Sequence, residues 1–121
     1  MTRIRRLRLL NREPVSLEMT YVPEALGRRL AQADLETRNI FLILENDCAT
    51  PLGHADLKID AMLADAELAQ ALRVDQGAAV IRIERLTHDR HRRPIDFEYL
   101  YFRADAFQYR LVINRQTARP A

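Results

Sequence analysis

Alternation of apolar and polar side chains is the strongest pattern along the chain. Residues 3–10, "RIRRLRLL", and 15–21, "VSLEMTY", alternate and flank "NREP", which predicts two strands joined by a short turn. With the loop at 11–13, Arg6 falls opposite Glu18 and Arg8 opposite Ser16. Leu7, Leu9, Val15, Leu17, Met19 and Tyr21 then share the other face, which is expected to be core. Pro23 predicts a helix over "PEALGRRLAQA". "ETRNIFLILEND" reads as a second helix, with Ile40, Phe41, Ile43 and Leu44 on its apolar side. "HADLKIDAM" returns to period two, setting Ala55, Leu57, Ile59 and Ala61 against His54, Asp56, Lys58 and Asp60. Asp65 is placed to cap a short helix, "AELAQALRV", and "DQG" at 75–77 reads as a turn. "AAVIRIERLTH", "PIDFEYLYF" and "FQYRLVINR" (107–115) read as three closing strands, and the tail "QTARPA" is expected to fray. The order ββααβαβββ predicts an α+β fold: a mainly antiparallel sheet of about six strands with helices packed on it.

Composition narrows the class. A chain of 121 residues is long enough for one core and too short for two, so residues 1–121 read as a single domain. The 48% hydrophobic and 30% charged content suits a globular domain, and a net charge of +2 is too small to demand a polyanionic partner. Cys48 stands alone, so the chain has no internal disulfide and a reducing cytoplasm is the expected location. No apolar run is long enough for a membrane span, and Arg5, Arg6 and Arg8 interrupt the N-terminal apolar stretch, unlike a signal peptide. With 3 glycines there is no Gly-rich phosphate loop.

His88 and His91, in "THDRHRRP", have metal-ligand spacing, but Arg90, Arg92 and Arg93 crowd them with positive charge, so the segment reads as a solvated basic loop. His54 reads as a surface residue, and no metal or cofactor is expected. Ser16 is the single serine and has no evident His partner. Asp96 and Glu98 share one face of one strand and could do acid–base work, although the polar face of a sheet is the commoner origin of such a pair. Tyr99, Tyr101, Phe102, Phe107 and Tyr109 could form a stacking platform for nucleic acid, but Asp96, Glu98 and Asp105 interleave them and would repel phosphate. The face carrying Arg6, Arg8 and Glu18 is either a salt-bridge network or a receptor for a small anion, since arginine offers a bidentate fork for phosphate or carboxylate.

An ordered series of segments resembles the UTRA domain, the effector-sensing part of HutC-type GntR-family bacterial transcriptional regulators. "RIRRLRLLNREPVSLEMTYVP" resembles the family's opening hairpin, "NIFLILEND" its small-Leu-Tyr helix, and "IDAMLADAELAQALRVDQGAAVIRIERLTHD" its strand, short helix and Gly turn. "RPIDFEYLYFRADAFQY" resembles its Pro-apolar-acid-aromatic strand. The resemblance covers about residues 3–113 and implies a chorismate-lyase-like fold without catalysis. It also implies a small anionic metabolite as effector, a sugar phosphate or organic acid, and a homodimer. DNA would be held only by an attached winged-helix domain, absent from these residues, and the membrane would not be a partner. Carried onto this sequence, the ligand-binding positions are Arg6, Arg8, Glu18, Asn39, Phe41, Asp96 and Phe102. Asn39, Phe41 and Phe102 lack the hydroxyls usual at their positions. The alternatives are a chorismate-lyase-like enzyme and a stand-alone nucleic-acid-binding module.

Overall fold

A two-residue turn sets the first hairpin. Asn11 and Arg12 both have positive φ, 51° and 67°, as a turn matched to the strand twist requires. The turn joins β1 (Thr2–Leu10) to β2 (Glu13–Val22). The predicted register holds: Arg6 pairs with Glu18 and Arg8 with Ser16, before a register shift next to the turn. In this computed structural model, which describes residues 1–31, 43–44, 52–108 and 110–114, α1 (Glu24–Leu30), β3 (Leu52–Leu63), α2 (Ala66–Leu72), β4 (Ala79–Asp89) and β5 (Pro94–Arg103) follow. Ala104–Ala106 forms one 3-10 turn.

The five strands form one antiparallel sheet in the order β1-β2-β5-β4-β3. The last strand is therefore inserted at the centre, between the first hairpin and the β3–β4 hairpin. Helices lie on both faces. On one face α2 packs Leu68, Ala69 and Leu72 against Leu17 and Val80, with Met62 and Tyr101 at the margin. Asp65 caps this helix, its Oδ1 accepting from the Leu68 amide at 2.9 Å, and Arg73 ends it in the left-handed conformation. On the opposite face Leu30 of α1 joins Val22, Ile43 and Leu44 in a second cluster flanked by Ile4, Leu26 and Leu52. Gly27 lets α1 sit against β1, because a Cβ there would collide with the Thr2 side chain.

Two expectations need correction. Leu7 and Leu9 are 40% and 55% exposed, not core, because α2 reaches Leu17 but not the edge strand β1. The polar face of the hairpin is covered on β2 as well: Ser16, Glu18 and Thr20 are 1%, 7% and 0% exposed. The strand expected over 107–115 is absent from the described residues 107–108 and 110–114, where Leu111, Val112 and Ile113 are exposed. Topology gives the reason: β5 already has β2 and β4 on its two sides, so the segment after it has no free neighbour at hand. The second predicted helix is described only at Ile43 and Leu44, which are helical and fully buried.

Replacing the cap by Asp65→Ala should lower unfolding free energy by about 0.5–2 kcal/mol, the usual worth of such a cap. Urea denaturation measures it, and Glu67→Ala on the exposed first turn of the same helix is the control, expected to change little.

Candidate functional site

The α1-side face of the sheet is built in cross-strand rows, because residues opposite one another in a ladder project to the same side. One row runs Arg6, Glu18, Leu100, Ile83 and Ile59. The row towards the β1–β2 turn runs Arg8, Ser16, Phe102, Ile81 and Ala61. The row on the other side carries Ile4, Thr20, Glu98, Arg85 and Leu57. Asp96 and Thr87 face each other one row further. Acids thus occupy the two inner strands β2 and β5, and arginines the flanking strands β1 and β4.

Two charge clusters result. Glu18, its side chain 9% exposed, has Arg6 Nη1 at 3.6 Å from one carboxylate oxygen and Arg8 Nη1 at 3.5 Å from the other. Arg6 is largely covered, whereas the Arg8 side chain is 56% exposed. In the second cluster Arg85 Nη2 donates to Glu98 Oε2 at 2.8 Å. Asp96 lies beside Glu98 and is only 2% exposed. Burial, reinforced by the hydrogen bond to Glu98 and by its charge, pushes the Asp96 carboxyl from 3.8 up to about 10. Asp96 is therefore a neutral acid at pH 7. As a pair of carboxylates, Asp96 and Glu98 would leave Asp96 Oδ1, Oδ2 and Glu98 Oε1 without donors among the described residues. A proton held by Asp96 and shared with Glu98 satisfies one oxygen of each and leaves one Asp96 oxygen unmet among the described residues. The buried hydroxyls of Ser16, Thr20 and Thr87 also have no hydrogen-bond partner among the described residues. Unmet buried polar groups on this scale are uncommon in folded proteins.

The structure brings together five of the seven residues assigned from the sequence. Arg6, Arg8 and Glu18 form the first cluster, Asp96 belongs to the second, and Phe102 stands on the same face beside Ser16, its ring 5.3 Å from Phe107. Asn39 and Phe41 lie outside the described residues. Arg85, Glu98, Thr20 and Thr87 belong to the same face but were not assigned to the site. Their signal was parity: Arg85 is the one charged residue in the inward series Ile81, Ile83, Arg85, Thr87, and Glu98 is two residues from Asp96. A separate open hollow beside the β1–β2 turn, lined by Leu10, Pro14, Val15, Arg103 and Asp105 among others, contains none of these groups.

Residues 1–108 match the UTRA domain. The chain belongs to the UTRA family. UTRA domains are effector-binding domains of GntR-family transcriptional regulators, and the sheet and its helices have their chorismate-lyase-like α+β fold. The chain is 24% identical over 107 residues to the HTH-type transcriptional repressor NagR of Bacillus subtilis, a match covering 88% of this chain and 44% of that protein. The chain thus spans less than half the length of that curated relative. Among solved structures it resembles PhnF from Mycobacterium smegmatis, with a TM-score of 0.83 and 18% identity over 94% of this chain and 50% of that one. A GntR-family regulator from Enterococcus faecalis gives a TM-score of 0.78 and 21% identity, over 92% of this chain and 79% of that one. No helix among the described residues is long and apolar enough to cross a membrane.

The raised Asp96 carboxyl makes a signed prediction. Between pH 3.8 and about 10 the folded UTRA domain holds a proton that the unfolded chain releases. Its contribution to stability therefore falls as pH rises through that window. Asp96→Asn, which keeps the shape and removes the titration, should be more stable than the wild type at neutral pH, with the gap closing as pH falls towards 3.8. Thermal melts of both proteins across pH check this, and parallel profiles would show that Asp96 is ionised in the fold.

Proposed function

We propose that this UTRA domain is the effector-sensing and dimerisation part of a cytoplasmic, HutC-type bacterial GntR-family regulator. Its effector is an anionic metabolite, a sugar phosphate or organic acid, taken up against the Arg6–Arg8–Glu18 and Arg85–Glu98–Asp96 clusters. A winged-helix domain outside these residues contacts the operator.

The observation that carries this reading is a covered sheet face whose Ser16, Thr20 and Thr87 hydroxyls have no partner among the described residues, with the Arg8 guanidinium more than half exposed at its edge. Arg8 is the more exposed of the two arginines at Glu18 and is the natural group to receive the anionic end. The Ser16, Thr20 and Thr87 hydroxyls and the Asp96 acid suit hydroxyl or amide groups elsewhere on the ligand. Asn39 and Phe41 are proposed to complete the site, as the family resemblance implies.

A second reading has one specific observation behind it: a carboxylic acid kept neutral beside a carboxylate is a possible general acid, so the same face could catalyse. The two readings separate on turnover. A sensor releases its ligand unchanged, and an enzyme does not.

A thermal-shift screen of sugar phosphates and organic acids should yield a stabilising anion, because a ligand specific to the folded state raises stability by RT ln(1 + [L]/Kd). With that anion, Arg8→Ala should weaken binding by about 1.5–3 kcal/mol in calorimetry, the worth of a hydrogen bond to a charged group. The domain should still fold, since Arg8 projects into solvent. Equal affinity in Arg8→Ala and Arg6→Ala would remove the arginine pair from the site. Light scattering is expected to give a dimer mass, and a monomer at high concentration would remove dimerisation from the proposal.

A further inference from the structure

The face of the sheet that carries α2 holds a second cluster, unrelated to the charge clusters above. His54 on β3 stands directly opposite His88 on β4 in the ladder. Asp56, two residues along β3, projects to the same side and lies diagonally from His88. One donor atom from each of the three residues lies within 4.8 Å of the other two. We propose that His54, Asp56 and His88 form a binding site for a first-row divalent transition-metal ion such as Zn²⁺.

The local backbone is arranged for this. Both ladders of β4 shift register at the histidines: the β3 pairing between Leu52 and His54, and the β5 pairing between Thr87 and His88. Such shifts re-aim side chains and gather at the ends of sheets next to functional sites. Gly53 permits the close strand approach, since a Cβ there would run into the Asp89 carbonyl. The two imidazoles stack with centroids 4.4 Å apart and planes 8° from parallel. His88 Nδ1 is buried with no hydrogen-bond partner among the described residues, a cost that coordination or a ligand-induced turn of the ring would relieve.

The donor set selects the ion. Two imidazoles and one carboxylate suit Zn²⁺, Ni²⁺, Co²⁺ or Cu²⁺, whereas Mg²⁺ and Ca²⁺ want oxygen. Donors around a tetrahedral ion bound at about 2.0–2.1 Å stand roughly 3.3 Å apart. The cluster must therefore contract modestly, and the parallel rings must turn so that their nitrogens converge. His54 and Asp56 are exposed and can make that adjustment. Three protein ligands at an exposed sheet margin leave a fourth position for water or another donor. The nearby turn is less repulsive than its composition suggests, because Arg93 is held by Asp89 at 3.0 Å. His91, the other half of the His-x-x-His spacing, is not part of the cluster.

Equilibrium dialysis and calorimetry with ZnCl2 test the site, with the visible spectrum of added Co²⁺ reporting coordination geometry. The expected result is one ion per chain and a tetrahedral-type Co²⁺ spectrum that Zn²⁺ bleaches. His54→Gln and His88→Ala should each weaken Zn²⁺ binding by more than about tenfold, the lower end of what losing even an outer-shell partner costs. Asp56→Asn should weaken it less, and His91→Ala should bind as the wild type. Because His54 and Asp56 are exposed, their variants should keep the wild-type melting temperature. They decide the matter even if His88→Ala unfolds. Absence of Zn²⁺ binding to the wild type, or undiminished binding in both His54→Gln and Asp56→Asn, overturns the proposal. Loss of binding in His91→Ala alone would overturn it equally, by moving the ion to the turn.

Discussion

Carboxyl groups on the two inner strands of the sheet are the constraint on which the rest depends. Glu18 on β2 and Asp96 and Glu98 on β5 are each less than 10% exposed. A carboxylate taken out of water costs several kcal/mol unless it is paired or protonated. The fold uses both remedies: arginines from the flanking strands β1 and β4 neutralise Glu18 and Glu98, and Asp96 keeps its proton. This arrangement exists only because β5 enters the sheet between β2 and β4. If β5 paired at an edge, Glu98 would lose the cross-strand Arg85 or its neighbour Thr20.

The two faces divide the work accordingly. Beneath α2 the face is satisfied by apolar packing of Leu17, Val80, Leu68 and Leu72. Beneath α1, apolar packing covers Val22 with Leu30, Ile43 and Leu44, and then gives way to the polar rows. Even within these rows Leu100 and Ile83 are buried, so polar and apolar side chains share the α1 face.

Much of this was legible in the sequence, and the limits have physical reasons. The β1–β2 register was read correctly, down to Arg6 opposite Glu18, although the turn is one residue shorter than the expected loop and a register shift between Arg8 and Leu9 makes up the difference. Strand alternation reports that a hairpin has two unlike faces but not which one is covered; that depends on where helices land, so Leu7 and Leu9 were misread as core and Thr20 was overlooked. The position of β5 and the β3–β4 pairing across α2 are set by long-range contacts, which leave no local trace, so neither the Arg85–Glu98 pair nor the meeting of His54 with His88 could be read from spacing. The expected strand over 107–115 had a good local pattern, but β5, the strand before it, is already paired on both sides. Asp96 was found through family resemblance, but its neutral state comes from burial beside Glu98, which only the assembled sheet reveals.

The two charge clusters differ in tightness, and that difference bears on how a bound anion could be sensed. Arg85 holds Glu98 at hydrogen-bond distance, 2.8 Å, on central strands. Arg6 and Arg8 approach Glu18 only to 3.6 and 3.5 Å, and Arg8 reaches in from the edge strand with more than half its surface in solvent. An incoming anion competes more easily for the looser pair, because less interaction energy must be given up and the Arg8 guanidinium is already partly hydrated. The Arg85–Glu98–Asp96 cluster would then act as the fixed end against which a ligand is measured. The Arg8 end, on a strand with a free edge, would move. A ligand shifts a conformational equilibrium only by its difference in affinity between the two states. Under the proposed function, that difference is concentrated where Arg8 changes partners from Glu18 to the ligand. The change of partner would thus fall on β1, an edge strand of the sheet.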